Sequence, residues 1–392
     1  MDIGKLKDAV AREIDKRYTP LSELSRKIHD SPETAMKERR ASGWLTDFLK
    51  KDGFSVVKGV AGMPTAFRGD YGKGKPVIAF LAEYDALPKI GHGCGHNLIA
   101  TCSTAAAIAT KVAVDKLGGS VIIFGTPAEE ADAGKAIMVG KGVFKGLDAV
   151  MMAHPGVRNY VLTSALACQT LEVEFFGRAS HAAANPEGGI NALEAMILSF
   201  NAIDALRQHV KEKARIHGII TDGGEAPNVV PAHTAATFLV RAADDEYLDI
   251  LKEKVIVCFA GAATATGAEL KYRWADVRYE PMLNNVTMAK LFRMNMKSLG
   301  HDFPLSSEDE RSGSLDAGNV SQLVPAIHPT VAIAPLDVLV HSEGFAEVAA
   351  TDAALRIMLG AAKALAMTAV DLLASPQTLA GVRAEFQKSK KS

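Results

Sequence analysis

The stretch IGHGCGHNLIA, residues 90 to 100, sets Cys94 between His92 and His96 with glycine at alternate positions. A thiolate and neutral imidazoles are ligands for borderline divalent ions such as zinc or manganese, and a glycine-rich turn lets the backbone approach the ion. A second segment, TPAEE, ends in the adjacent acids Glu129 and Glu130. One such carboxylate can bind a cation while its neighbour, pointing differently, stays free as a general base. His154 in MMAHPG and His341 in LVHSEGF add imidazoles from distant sequence. The chemistry these residue types can do together is hydrolysis by metal-activated water.

Two other readings of the same residues fit less well. The glycine spacing is GxGxG rather than the GxGxxG of a dinucleotide loop, and no acid ends a strand about 20 residues later. A Cys94–His96 nucleophile would leave the acid pair and the remote histidines idle. His209, His217, His233, His301 and His328 are read as structural.

The elements that must position these groups alternate. PVIAFLAEYDALP reads as a buried strand ending at Glu83 to Asp85, and LIATCSTAAAIATKVAVDKL as a helix starting just after His96. SVIIFGTPAEE and DAVMMAHPG continue a pattern that predicts a mostly parallel sheet with helices on both faces, an α/β class. Glu83, Asp85, Glu129, Glu130 and His154 all fall just past a predicted strand end, where such sheets bind ligands. From about Leu166 the order becomes strand-helix-strand-strand-helix-strand, a ferredoxin-like α+β unit. The chain therefore reads as a discontinuous catalytic domain, 1–165 and 281–392, interrupted by an inserted domain, 166–280.

Composition excludes other classes. The 392 residues carry 44 basic against 45 acidic side chains, with no basic stripe, so neither nucleic acid nor an anionic membrane has an electrostatic footprint. The N-terminus is charged and lacks the apolar core of a signal peptide, which makes cytoplasm the expected location. The late apolar segment LRIMLGAAKALAMTAVDLLA is broken by Arg356, Lys363 and Asp371, and reads as a helix with one wet face rather than a membrane span. Four scattered cysteines make no disulfide framework.

IHDSPETAMKE, AEYDALPKIGHGCGHNLIA, TPAEE, MAHPG, GRASHAA, PNVVP, LDAGNVS and HSEGF occur in that order. In these motifs the chain resembles the co-catalytic metallopeptidase family of aminoacylases and glutamate carboxypeptidases. The likeness is to its amidohydrolase branch, with its aminobenzoyl-glutamate, indole-acetyl-amino-acid and beta-alanyl-lysine hydrolases. The resemblance covers nearly the whole chain and implies a di-metal catalytic domain with an inserted lid that also dimerises. Many members of the branch carry D-x-D before ALP, whereas this chain has Glu83 at the first acid.

Carried over by position, the resemblance implies that Cys94 bridges two divalent ions, with Glu130 and His341 completing one site and His96 and His154 the other. Zinc or manganese is expected, with cobalt as a further candidate. Asp85 would orient an imidazole ligand, and Glu129 would be the general base. His181 in GRASHAA would steady the oxyanion, in cis or from the partner subunit, while Asn228 and Arg241 would hold the substrate's carboxylate. The expected protein is a homodimer or higher homo-oligomer, a metal-dependent amidohydrolase, aminoacylase or dipeptidase. It would cleave the C–N bond of an N-acyl or aminoacyl amino acid that has a free carboxylate. Hydrolysis of an unusual C–N bond, such as an aryl amine's, and a metal-binding relative without turnover are the alternatives.

Overall fold

The computed structural model describes residues 2–306 and 313–390. It divides into two compact units: Met1–Ser164 with Met282–Arg311 and Leu315–Ser392, and Ala165–Pro281 with Ser312–Ser314.

The first unit is built on a six-stranded sheet. Its strand order is Ser55–Lys58, Phe67–Lys73, Gly119–Gly125, Val77–Ala82, Ala149–Met151 and Ala326–Ile327. The first three strands pair antiparallel; the pairings from Gly119–Gly125 onward are parallel. The interior strand Val77–Ala82 reads VIAFLA and is buried on both faces, as a covered parallel sheet requires. His154–Gly156 pairs separately, in parallel, with Thr330–Ala332.

Two helices of this unit, His96–Leu117 and Asp352–Ala374, are long and apolar enough to cross a membrane by length and composition. In the fold they are core helices: 89% and 72% of their most apolar windows are buried inside the protein. The small side chains of Ala105, Ala106, Ala107, Ala109 and Ala113 let neighbouring helices approach closely. The wet face expected of the second helix is narrow. Its Lys363 pairs with Asp15 at 2.6 Å and its Asp371 with Lys7 at 2.6 Å. The first helix opens at His96 itself, two residues before the Leu98 start read from the sequence, because left-handed Gly95 (φ 76°) turns the chain directly into it.

In the second unit four strands pair antiparallel in the order Glu269–Tyr279, Ala167–Phe176, His233–Ala242 and Arg215–Asp222. Helices Ala192–Leu206 and Asp245–Thr266 cover one face. Along His233–Ala242 burial alternates residue by residue, the signature of a sheet with one packed and one open face. Leu171, Val173, Phe175, Phe238 and Phe259 fill the packed side. Asn191 and Asp244 cap the two helices through their side chains.

Candidate metal centre

Where Val77–Ala82 ends, Glu83 and Asp85 are each 1% exposed. Carboxylates this deep are costly unless paired, and each is held. The glycine turn then brings Cys94 into place. A Cβ on Gly95 would lie 2.7 Å from the ring of Pro155, and Gly95 has φ 76°, so only glycine fits against the strand that begins at His154. The consequence is a Cys94 Sγ to His154 Nε2 distance of 3.5 Å.

His96 is oriented from behind. Its Nδ1 lies 2.9 Å from the Asp85 carbonyl oxygen and 3.1 Å from Asp85 Oδ1, which leaves Nε2 for the cleft side. Among the described residues that buried Nε2 has no hydrogen-bond partner, nor has Glu130 Oε1, 3.8 Å away. His341 Nε2 comes within 3.4 Å of the same oxygen. His341 occupies the left-handed region (φ 68°), and its N–H donates to the Gly93 carbonyl at 2.8 Å, tying the late loop to the glycine turn.

Ligand atoms of Cys94, His96 and His154 lie within 4.8 Å of one another; so do those of Cys94, Glu130 and His341, and of His96, Glu129 and Glu130. One thiol, two acids and three imidazoles converging with orphaned buried atoms are a fit for divalent cations. Burial pushes the Cys94 thiol up, and burial with the neighbouring Glu83 and Asp316 charges pushes the Glu129 carboxyl well above the usual range. Burial would also raise Glu130, but His341 and His96 outweigh it and lower it to about 2. Adjacent acids thus have opposite tendencies: Glu130 stays ionised, and Glu129 holds a proton readily.

Four residues near this cluster escaped sequence reasoning. Lys135, fully buried, contacts Glu83 Oε1 at 2.5 Å and Asp316 Oδ1 at 2.7 Å. His328, read from the sequence as structural, sets its ring 5.4 Å from that of His154 at a tilt of 32°, and burial lowers its pKa to about 3. Glu38 binds the amide of Ala128, next to the acid pair. Asp316 and Glu38 lie inside LDAGNVS and IHDSPETAMKE, so the motifs held a signal; Lys135 and His328 offered none. His92, despite its place in the turn, points away: its Nε2 meets the Ile28 carbonyl at 3.1 Å.

The remaining predicted residues lie in the second unit. His181 is exposed, and its Nδ1 accepts the amides of Ala183 (3.2 Å) and Ala184 (3.1 Å), which leaves the ring proton on Nε2 as a donor. The Asn228 carbonyl accepts the Ala182 amide at 3.0 Å, so the two motifs are neighbours. Arg241 donates from Nη1 to Ser314 Oγ at 2.9 Å, and its buried Nε has no hydrogen-bond partner among the described residues.

Comparison with known proteins defines the class. A peptidase dimerisation domain of the M20 type matches residues 168–263. The chain is 40% identical to the Xaa-Arg dipeptidase of Mus musculus, over 98% of this chain and 93% of the relative. It is 38% identical to a p-aminobenzoyl-glutamate hydrolase chain of Escherichia coli, over 68% of this chain and 60% of the relative. Two solved structures share the fold. The aminobenzoyl-glutamate utilization protein of Klebsiella pneumoniae has a TM-score of 0.70 at 18% identity, covering 92% of this chain and 97% of that one. A dinuclear metal-binding M20 peptidase of Bacillus subtilis has a TM-score of 0.64 at 20% identity, covering 92% and 99%.

The chain belongs to the M20 peptidase family. It is an enzyme of that family's amidohydrolase branch, a metal-dependent hydrolase of amide bonds in aminoacyl or acyl amino acids.

Proposed function

We propose that this enzyme is a two-metal dipeptidase whose substrates end in a free carboxylate, with a basic C-terminal residue as the first class to try. The observation that carries the reading is the pair of ligand triads sharing Cys94. Cys94 would be shared by the two ions, with His96 and His154 holding one and Glu130 and His341 the other. Zinc, manganese or cobalt, bound there, supplies Lewis acidity and makes water acidic enough to be deprotonated near neutral pH.

The chain's own residues do the rest. Glu129 takes the proton of the attacking water and returns it to the leaving nitrogen. Asp85 fixes the His96 tautomer. His181 donates from Nε2 to the developing oxyanion, and Arg241 with Asn228 receives the substrate carboxylate. The units serve as catalytic domain, 1–165 with 281–392, and as lid and dimerisation domain, 166–280, in a cytoplasmic homodimer.

The substrate class leans on the dipeptidase relative, which this chain matches nearly end to end. The test is hydrolysis of Xaa-Arg and Xaa-Lys dipeptides, N-acyl amino acids, p-aminobenzoyl-glutamate and aryl-amine acids by apo-protein reloaded with zinc, manganese or cobalt. Metal-dependent release of arginine or lysine supports the reading. Turnover of p-aminobenzoyl-glutamate alone reassigns the substrate, and silence with every metal on every compound sinks it.

A further inference from the structure

The acid pair leaves a backbone that does not sit comfortably by itself. Ala128, the residue before Glu129, is a non-glycine in the left-handed region (φ 60°), a conformation that persists only where its surroundings hold it. Two carboxylates from elsewhere in the chain hold it. Glu38 Oε1 accepts the Ala128 amide at 2.9 Å, and Asp85 Oδ2 accepts the Glu130 amide at 3.0 Å. Glu129 is therefore gripped on both sides.

Asp85 already has a role behind His96; Glu38 has none. It is fully buried and begins the helix Arg39–Lys51, yet its side chain makes no cap bond to that helix. Ser, Thr, Asn or Asp would cap better there. Instead it reaches a residue ninety positions later, while also accepting the Met36 amide at 3.1 Å and, through Oε2, the Thr65 hydroxyl at 2.9 Å. Three donors thus fix the carboxylate, and the carboxylate fixes the loop.

We propose that Glu38 is a positioning residue for the hydrolysis: through the Ala128 amide it sets the direction in which Glu129 and Glu130 leave the chain. This rests on the roles proposed above for those two acids. A misaim of about 1 Å at the reacting groups costs on the order of 10²-fold in rate, and loss of a group that orients a ligand costs about 10- to 100-fold in metal affinity.

The test compares three variants of the full-length protein by kcat, KM and metal content under chelator competition. Glu38→Ala is expected to lower kcat about 10²-fold with KM little changed, and to release one of its two ions at a lower chelator concentration. Glu38→Gln can still accept both amides through its amide oxygen and donate to Thr65, so it rescues most of both properties. Should Glu38→Ala not fold, Thr65→Val removes one support of the carboxylate and lowers kcat about fivefold. Parent-like kcat and ion retention in folded Glu38→Ala, or in Thr65→Val where the alanine variant does not fold, overturn the proposal. So does a Glu38→Gln protein as impaired as the alanine variant. Glu129→Gln, assayed alongside, separates the two ideas: if it keeps its turnover, the base assignment fails, while the ion-retention readout still tests Glu38.

Discussion

The two halves of the ligand cradle are built differently. On the inner half, His96 is fully buried, Cys94 is 7% exposed, Asp85 backs the imidazole, and the helix His96–Leu117 runs straight into the core. On the outer half, the His341 side chain is 52% exposed, sits on a loop, and is anchored mainly by its own backbone bond to Gly93. The difference teaches that the same ligand chemistry can be held with unequal rigidity. An ion held by His96 and His154 would be expected to leave more slowly than one held by His341, whose loop can move without disturbing the core.

Several measurements break or sharpen that contrast. The largest effect is expected from Glu129→Gln, which should lower kcat by about 10²–10⁴-fold with metal content unchanged; metal loss instead would mean that Glu129 and Glu130 have exchanged roles. Next, Cys94→Ser should deplete both ions, since both triads use that sulfur, and elemental analysis after gel filtration reads this directly. A metal-replete, inactive Cys94→Ser protein would revive the cysteine nucleophile.

A smaller and unequal pair of effects separates the halves. His341→Ala should release one ion readily and leave the second tightly held, whereas Asp85→Asn, which leaves the His96 ring without its carboxylate, should weaken the inner ion about 10- to 100-fold. Chelator titrations with equal midpoints for the two variants would erase the inner–outer distinction.

The smallest is a pH effect on stability. Burial, with Asp85 nearby, raises Glu38 from the ordinary 4.5 to about 7. An acid whose pKa is higher folded than unfolded contributes stability that is fully present below about 4.5 and is lost as pH climbs through about 7, roughly 3 kcal/mol in all. Glu38→Gln should flatten that slope between pH 5 and 8 in denaturant titrations. An unchanged slope would place the titrating group elsewhere.

Much of this was legible in the residue string. Strand ends are marked by apolar runs that stop at polar groups, so Asp85, Glu129, Glu130 and His154 could be placed on one sheet edge before any coordinates. The glycines of GHGCGH announced a close approach, and Gly95 against Pro155 is such an approach. Lys135 was not legible, because a lysine in the short helix Gly134–Gly140 looks like a surface residue; only the fold shows it buried between Glu83 and Asp316. Buried ion pairs have no periodicity, and their partners lie far apart in sequence. His328 was unreadable for a similar reason: what distinguishes it is the ring of His154 beside it.

The hydrogen bond from His341 to Gly93 also has a bearing on biosynthesis. It joins a turn made early to a residue made only after the whole inserted unit has been synthesised. On the ribosome, Cys94 and His96 therefore emerge long before His341, so the cluster closes only after the inserted unit has been made.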